Sequence, residues 1–224
     1  MYRTECGDLM NNYIREPING LTHLGGAILS FFALFAMVVK AAGTTGAPIE
    51  ITAVIIFGIS MILLYSASAT YHMVIAKNKV IAWLRRLDHS MIFILIAGTY
   101  TPFCLISLKG LTGWILFSII TIVAVSGVIF KMVWFQCPRW LSTSMYIAMG
   151  WMIIFVSAPL ADSIHAVGLF LLILGGVIYT IGGIIYGAKP KFLESKYMGF
   201  HEIFHVFILL GSLAHFLSVY LYVI

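Results

Sequence analysis

Toward its C-terminal end the sequence reads His201-Glu202-Ile203-Phe204-His205, with two imidazoles four positions apart. On a helix this spacing puts both rings on one face, one turn apart, where they can grip a single ion. The same spacing recurs in Ser68 with His72 and in Asn19 with His23, while Asp88 and His89 stand side by side. Neutral imidazoles from His72, His201 and His205 make a common catalytic-zinc set that leaves one position open for water. Asp88 would bind or orient that water, and Ser68 would hydrogen-bond the carboxylate or the water. Imidazole and oxygen donors without thiolate suit Zn2+, and iron or another divalent ion is compatible with them.

The same residues have plainer readings. His23 and His89 each suit a partner carbonyl or a cavity wall. Asp88 suits the N-cap of a helix that begins beside it, where its charge complements the dipole. His215 lies about 15 Å beyond His205 along a helix and suits an isolated hydrogen bond. His165 falls at a break between apolar segments and suits solvent. His201-Glu202-x-x-His205 also fits the zinc-protease motif in which the glutamate is the general base. The favoured reading of Glu202 is an interfacial carboxylate near Lys191 or Lys196.

What must position these side chains is a membrane bundle. The 224 residues are 62% apolar and only 9% charged, with a mean hydropathy of +1.05. Soluble domains carry about 25% charge, so water could not cover this surface. Apolar runs at about 20–42, 50–75, 87–108, 112–133, 140–160, 165–187 and 201–223 are each long enough to span as a helix. They predict one all-α, polytopic seven-helix domain over residues 1–224.

Charge then orients the spans. Arg3, Arg15, Lys77, Lys79, Arg85, Arg86, Lys131, Arg139, Lys189, Lys191 and Lys196 fall on one side, and only Lys40 and Lys109 on the other. The positive-inside rule places the first group, and the N-terminus, in the cytoplasm, with the C-terminus outside. This topology brings the starts of the first, third and seventh runs and the end of the second to one depth. Asn19, His23, Ser68, His72, Asp88, His89, His201 and His205 therefore share a layer near the inner face. Intramembrane polar groups cost about 2.5–3.5 kcal/mol each on insertion scales, so a shared depth is informative.

Other features set limits. The net charge of +5 is distributed in short clusters between spans, which fits topology rather than nucleic-acid binding. Cys6, Cys104 and Cys137 lack metal-binding or paired spacing. Residues 1–17 mix both signs, unlike the basic head of a signal peptide. Pro102 predicts a kink that frees the Gly98 carbonyl, with Thr99 and Thr101 at hand for freed groups. Glycines at 175, 176, 182, 183 and 187 predict close helix packing.

Five segments together carry a resemblance: Glu16-Pro17-Ile18-Asn19 through His23, Ser68 to His72, Leu87-Asp88-His89, Gly98 to Pro102, and His201 to His205 with Ala214-His215-Phe216. Nearly the whole chain resembles the bacterial hemolysin III-type membrane proteins. These are related to the progestin and adiponectin receptor family and to membrane hydrolases that include alkaline ceramidases. The resemblance implies seven helices in the bacterial cell membrane and zinc held at His72, His201 and His205, with Asp88 and Ser68 around bound water. It does not require a glutamate at position 202. The expected function is zinc-dependent hydrolysis of a lipid amide or ester, with a membrane lipid as substrate or ligand. The alternatives are a non-enzymatic, zinc-stabilised regulator of membrane homeostasis, and the cytolytic role that the family name implies. No amphipathic export form or secretion signal supports lysis, and the one-sided polar layer disfavours a transporter.

Overall fold

A computed structural model describes residues 13–108, 110–190, 193, 195 and 198–224. Arg3, Cys6, Lys109, Lys191 and Lys196 lie outside them. Among the described residues, seven helical segments are long and apolar enough to cross a membrane. They comprise α1 (Pro17–Thr44), α2 (Pro48–Met73), α3 (Asn78–Pro102), α4 (Gly110–Val133), α5 (Arg139–Gly150) continued by α6 (Ser157–Ser163), α7 (Ala166–Ala188) and α8 (Phe200–Tyr222). Pro17 and Pro48 start α1 and α2, where a missing N–H costs nothing. Between these helices Gly46 takes φ +64, which lets the chain reverse in three residues.

Polarity is arranged inside out. Phe31, Phe32 and Phe35 on α1 are 61%, 62% and 67% exposed, whereas Asn19, Ser60, His72, Asp88 and His205 are buried. Lipid can solvate the first set but offers the second no hydrogen bonds, so polar groups turn inward. Helix contacts are correspondingly close. A Cβ on Gly98 would fall 2.0 Å from Ser60 Oγ, so α3 can lie against α2 only with glycine there. The same holds on α7, where a Cβ on Gly175 would fall 2.7 Å from the His215 ring.

Two boundaries and the setting of one lysine differ from the sequence pattern. α3 starts at Asn78 rather than near 87, so Arg85, Arg86 and Asp88 all lie inside it. Lysine, arginine and leucine are good helix formers, and long basic side chains can reach water from a helix end. Asp88 therefore caps nothing. Lys131 belongs to the last turn of α4 and is buried, not solvated in a loop. The fifth span is not one helix: Trp151–Val156 tighten to 3-10 geometry between α5 and α6. Pro159 cannot donate to the preceding turn and its ring crowds the carbonyl four residues back. Tyr100 steadies the break, its hydroxyl donating to Gly150 O at 2.7 Å and accepting from Ile153 N at 2.8 Å.

The disturbance at Pro102 takes the form of a π-helical turn over Phe103–Ser107. Thr99 and Thr101 donate to Leu95 O and Ala97 O at 2.8 and 2.9 Å, rather than to the Gly98 carbonyl. Alternation of the spans puts Arg15, Lys77, Arg85, Arg86, Lys131, Arg139 and Lys189 toward one end of the bundle, here called the basic face.

Candidate metal centre

Two helix ends meet at this face. His72 occupies the last turn of α2, and His201 and His205 project from the first turns of α8. One nitrogen from each ring can be chosen so that all three lie within 4.8 Å of one another. His72 Nε2 and His201 Nε2 are 3.3 Å apart. Two nitrogens each ~2.0–2.1 Å from one tetrahedral zinc stand about 3.3 Å apart, so this pair fits such an ion. His72 and His201 are 129 positions apart in sequence and meet only through the fold.

The segment before α1 fixes the His72 ring. Glu16 N–H donates to the His72 carbonyl at 2.9 Å, and Arg15 Nη2 donates to Tyr71 O at 2.6 Å. These bonds tie the start of α1 to the end of α2 and bring Glu16 Oε2 to 2.6 Å from His72 Nδ1. The His72 hydrogen bond pulls the Glu16 carboxyl down to about 2 from its ordinary 4.5, against the opposing effect of partial burial. Glu16 is thus an ionised acceptor, so Nδ1 donates to it and Nε2 is the nitrogen turned toward the cluster. A carboxylate on the far nitrogen is the usual way to fix the tautomer of a metal-binding histidine.

Glu202 is engaged elsewhere. Its Oε2 accepts from Gly199 N at 2.8 Å, capping α8, and its Oε1 accepts from Asn19 Nδ2 at 2.8 Å. One oxygen thus caps α8 and the other joins it to α1. This supports a structural carboxylate over the general base of a protease motif, with Asn19 and Gly199 as partners; Lys191 and Lys196 lie outside the described residues.

The remaining polar residues divide. Ser68 and Asp88 line one cavity with His23 and His205. Ser68 Oγ faces Asp88 without completing a hydrogen bond, and Asp88 Oδ2 lies 3.1 Å from His89 Nδ1. Asp88 is outside the three-histidine group itself. The His23 ring stacks on His205 with centroids 3.7 Å apart, and neither of its nitrogens has a partner. His89 Nδ1 also approaches Arg85 O at 2.9 Å, and its Nε2 approaches the Tyr186 hydroxyl at 3.0 Å. His165 is exposed and caps α7, its Nδ1 accepting from Val167 N. His215 Nδ1 has no partner, and the ring packs closely against Gly175. The whole cavity measures about 130 Å³, and beyond its polar end it is lined by apolar side chains such as Leu95, Phe103 and Leu172 and reaches His215.

Sequence spacing missed Glu16 as the partner of His72. An acid one position before a helix-starting proline was the available signal. It also missed Lys131, which was visible as a lysine inside an apolar run.

The chain matches the family described as haemolysin-III related over residues 11–216. It is 41% identical over 224 residues to "Hemolysin-3" of Bacillus cereus, covering 99% of this chain and 98% of that protein. It is 40% identical over 210 residues to "Hemolysin-3 homolog" of Bacillus subtilis (strain 168), covering 93% of this chain and 95% of that protein.

Proposed function

The chain belongs to the haemolysin-III related family of multi-pass bacterial cell membrane proteins, and on that premise we propose that it is a zinc-dependent hydrolase of a lipid amide or ester. The observation that supports this reading most is the meeting of His72, His201 and His205 beside a cavity that also holds Asp88 and Ser68. The donor set fits zinc, because all three ligands are imidazoles and one has a carboxylate on its far nitrogen. The positive-inside rule puts this face in the cytoplasm.

Bound there, zinc would supply Lewis acidity to a carbonyl oxygen and raise the acidity of water. The protein's own groups carry the rest. Glu16 holds His72 in the tautomer with Nε2 free. Asp88, with Oδ2 beside His89, has Oδ1 available to take a proton from water and pass it to the leaving group. Ser68 Oγ, unpartnered and facing Asp88, orients the water or the carbonyl. The narrow apolar part of the cavity excludes water and accommodates a hydrocarbon chain, placing its headgroup-proximal bond at the polar end.

The test is turnover of a panel of lipid amides and esters by the purified protein, with and without a chelator. Turnover that survives metal removal, or none in any lipid class, would sink the hydrolase reading. The placement of the ligands on α2 and α8 favours one second reading, a metal that only staples these helices in a regulatory protein. In that case His72→Ala loses metal and thermal stability together, while the unsubstituted protein turns nothing over. The relatives' name suggests lysis, and a lytic role requires the purified protein to release dye from liposomes at low dose.

A further inference from the structure

We propose that a second pocket on the basic face, between α3, α4 and α5, binds a phosphate group. It occupies about 380 Å³, within the ~300–1,000 Å³ typical of small-molecule sites. Arg85 and Arg86 of α3, Lys131 of α4 and Arg139 of α5 all line it, and among the described residues no aspartate or glutamate does. Among the described residues, none of these four cations has a carboxylate within 4.0 Å.

A row of cations at this face could simply orient the bundle. Lys77 and Lys79 behave in that way and are exposed. Lys131 does not, being only 3% exposed. Its Nζ donates to Ser142 Oγ and lies 3.4 Å from Cys137 Sγ, so its neighbours are a hydroxyl and a thiol rather than a carboxylate. A buried ammonium without a counter-charge is costly, and an anion in the adjoining pocket offsets that cost.

The arginines are held in place for such a ligand. Arg85 lies 5.0 Å over the Phe135 ring and Arg139 lies 5.6 Å over the Tyr186 ring. Arg86 Nη1 is anchored on Met132 O at 3.1 Å, which leaves its other donors free. Planar guanidinium forks match phosphate oxygens, and basic pockets between spans on this side suit lipid headgroups. The first turn of α5 adds the positive end of a helix dipole through Arg139 and Ser142. His89, Tyr146 and Tyr186 line both this pocket and the cavity beside the histidines, forming a wall between the two. The phosphate site requires no metal and stands whether or not the hydrolase reading does.

The phosphate can come from an anionic lipid of the facing leaflet or from free phosphate in solution. Full-length protein, delipidated in detergent, is titrated in separate arms with inorganic phosphate and with short-chain phosphatidylglycerol below its micelle concentration. Melting temperature and calorimetry are the readouts, with chloride at matched ionic strength as the reference. Saturable binding in either arm is expected, and the tighter arm identifies the source. Arg139→Gln, at a half-buried position, and Lys131→Met each weaken that binding about ten-fold or more, the loss of one charge-assisted bond. If Lys131→Met does not fold, Arg139→Gln and Arg86→Gln decide. Effects no greater than those of chloride, or affinities unchanged in the folded variants, overturn the proposal.

Discussion

His205 and His215 stand on the same helix about 15 Å apart, and are 2% and 4% exposed, yet they are surrounded by different chemistry. Around His205 gather two further imidazoles and His23, with Asp88 and Ser68 on the same cavity wall. Around His215 the neighbours are Gly175 and the Tyr179 ring at 5.2 Å. The polar groups nearby are already paired, with Ser212 Oγ bonded to the Tyr65 and Tyr179 hydroxyls at 2.5 and 2.7 Å. Burial alone does not make an intramembrane histidine a ligand. A ligand needs other donors at its own depth, and on α8 it is the basic end that brings them together.

The largest effect should separate these two histidines directly. His205→Ala is expected to reduce bound zinc from about one ion per chain to near none, since two imidazoles leave a zinc site short of ligands. His215→Ala should keep its metal. Elemental analysis of both purified variants checks this, and equal loss would erase the contrast. Glu16→Gln comes next, with metal affinity falling about 10–100-fold as His72 loses its charged acceptor. A competition titration against a chromophoric chelator measures it.

Acid should act through the same end. Glu16 gains stability from its depressed pKa above its ordinary 4.5, and loses it only as pH falls toward about 2. Metal released between pH 7 and pH 5 would therefore not report loss of the Glu16 contact, which a titration of bound zinc against pH in the wild type and in Glu16→Gln checks.

At the other end the effect is one of shape. Gly175→Ala drives a Cβ against the His215 ring and should cost about 1–3 kcal/mol without loss of metal, seen as a lower melting temperature. The smallest effect is expected for Glu202→Gln. Weakening the cap of α8 and its bond to Asn19 should cost about 0.5–2 kcal/mol while metal and any turnover persist. Abolished turnover in a stable protein would restore the protease-like reading of that glutamate.

Much of this was legible in advance. Seven apolar runs foretold seven spans, and His72, His201 and His205 could be grouped by depth from topology alone. Spacing misled where charge was taken for a loop. Arg85, Arg86 and Lys131 lie in helices, and the early start of α3 removes any capping role for Asp88. The break in the fifth span was signalled only by Pro159, and its repair by Tyr100 is a contact between distant spans.

Sequence alone determined how far along each span a polar side chain lies, because residue count sets depth at about 1.5 Å per residue. Which way each helix is turned about its axis was left to tertiary packing, since many small contacts between neighbouring spans settle that rotation. Close approaches such as Gly98 on Ser60 decide which polar groups face one another. Rotation is why Glu16 reaches His72 while Glu202 reaches Asn19, and why Lys131 points into a pocket instead of into water.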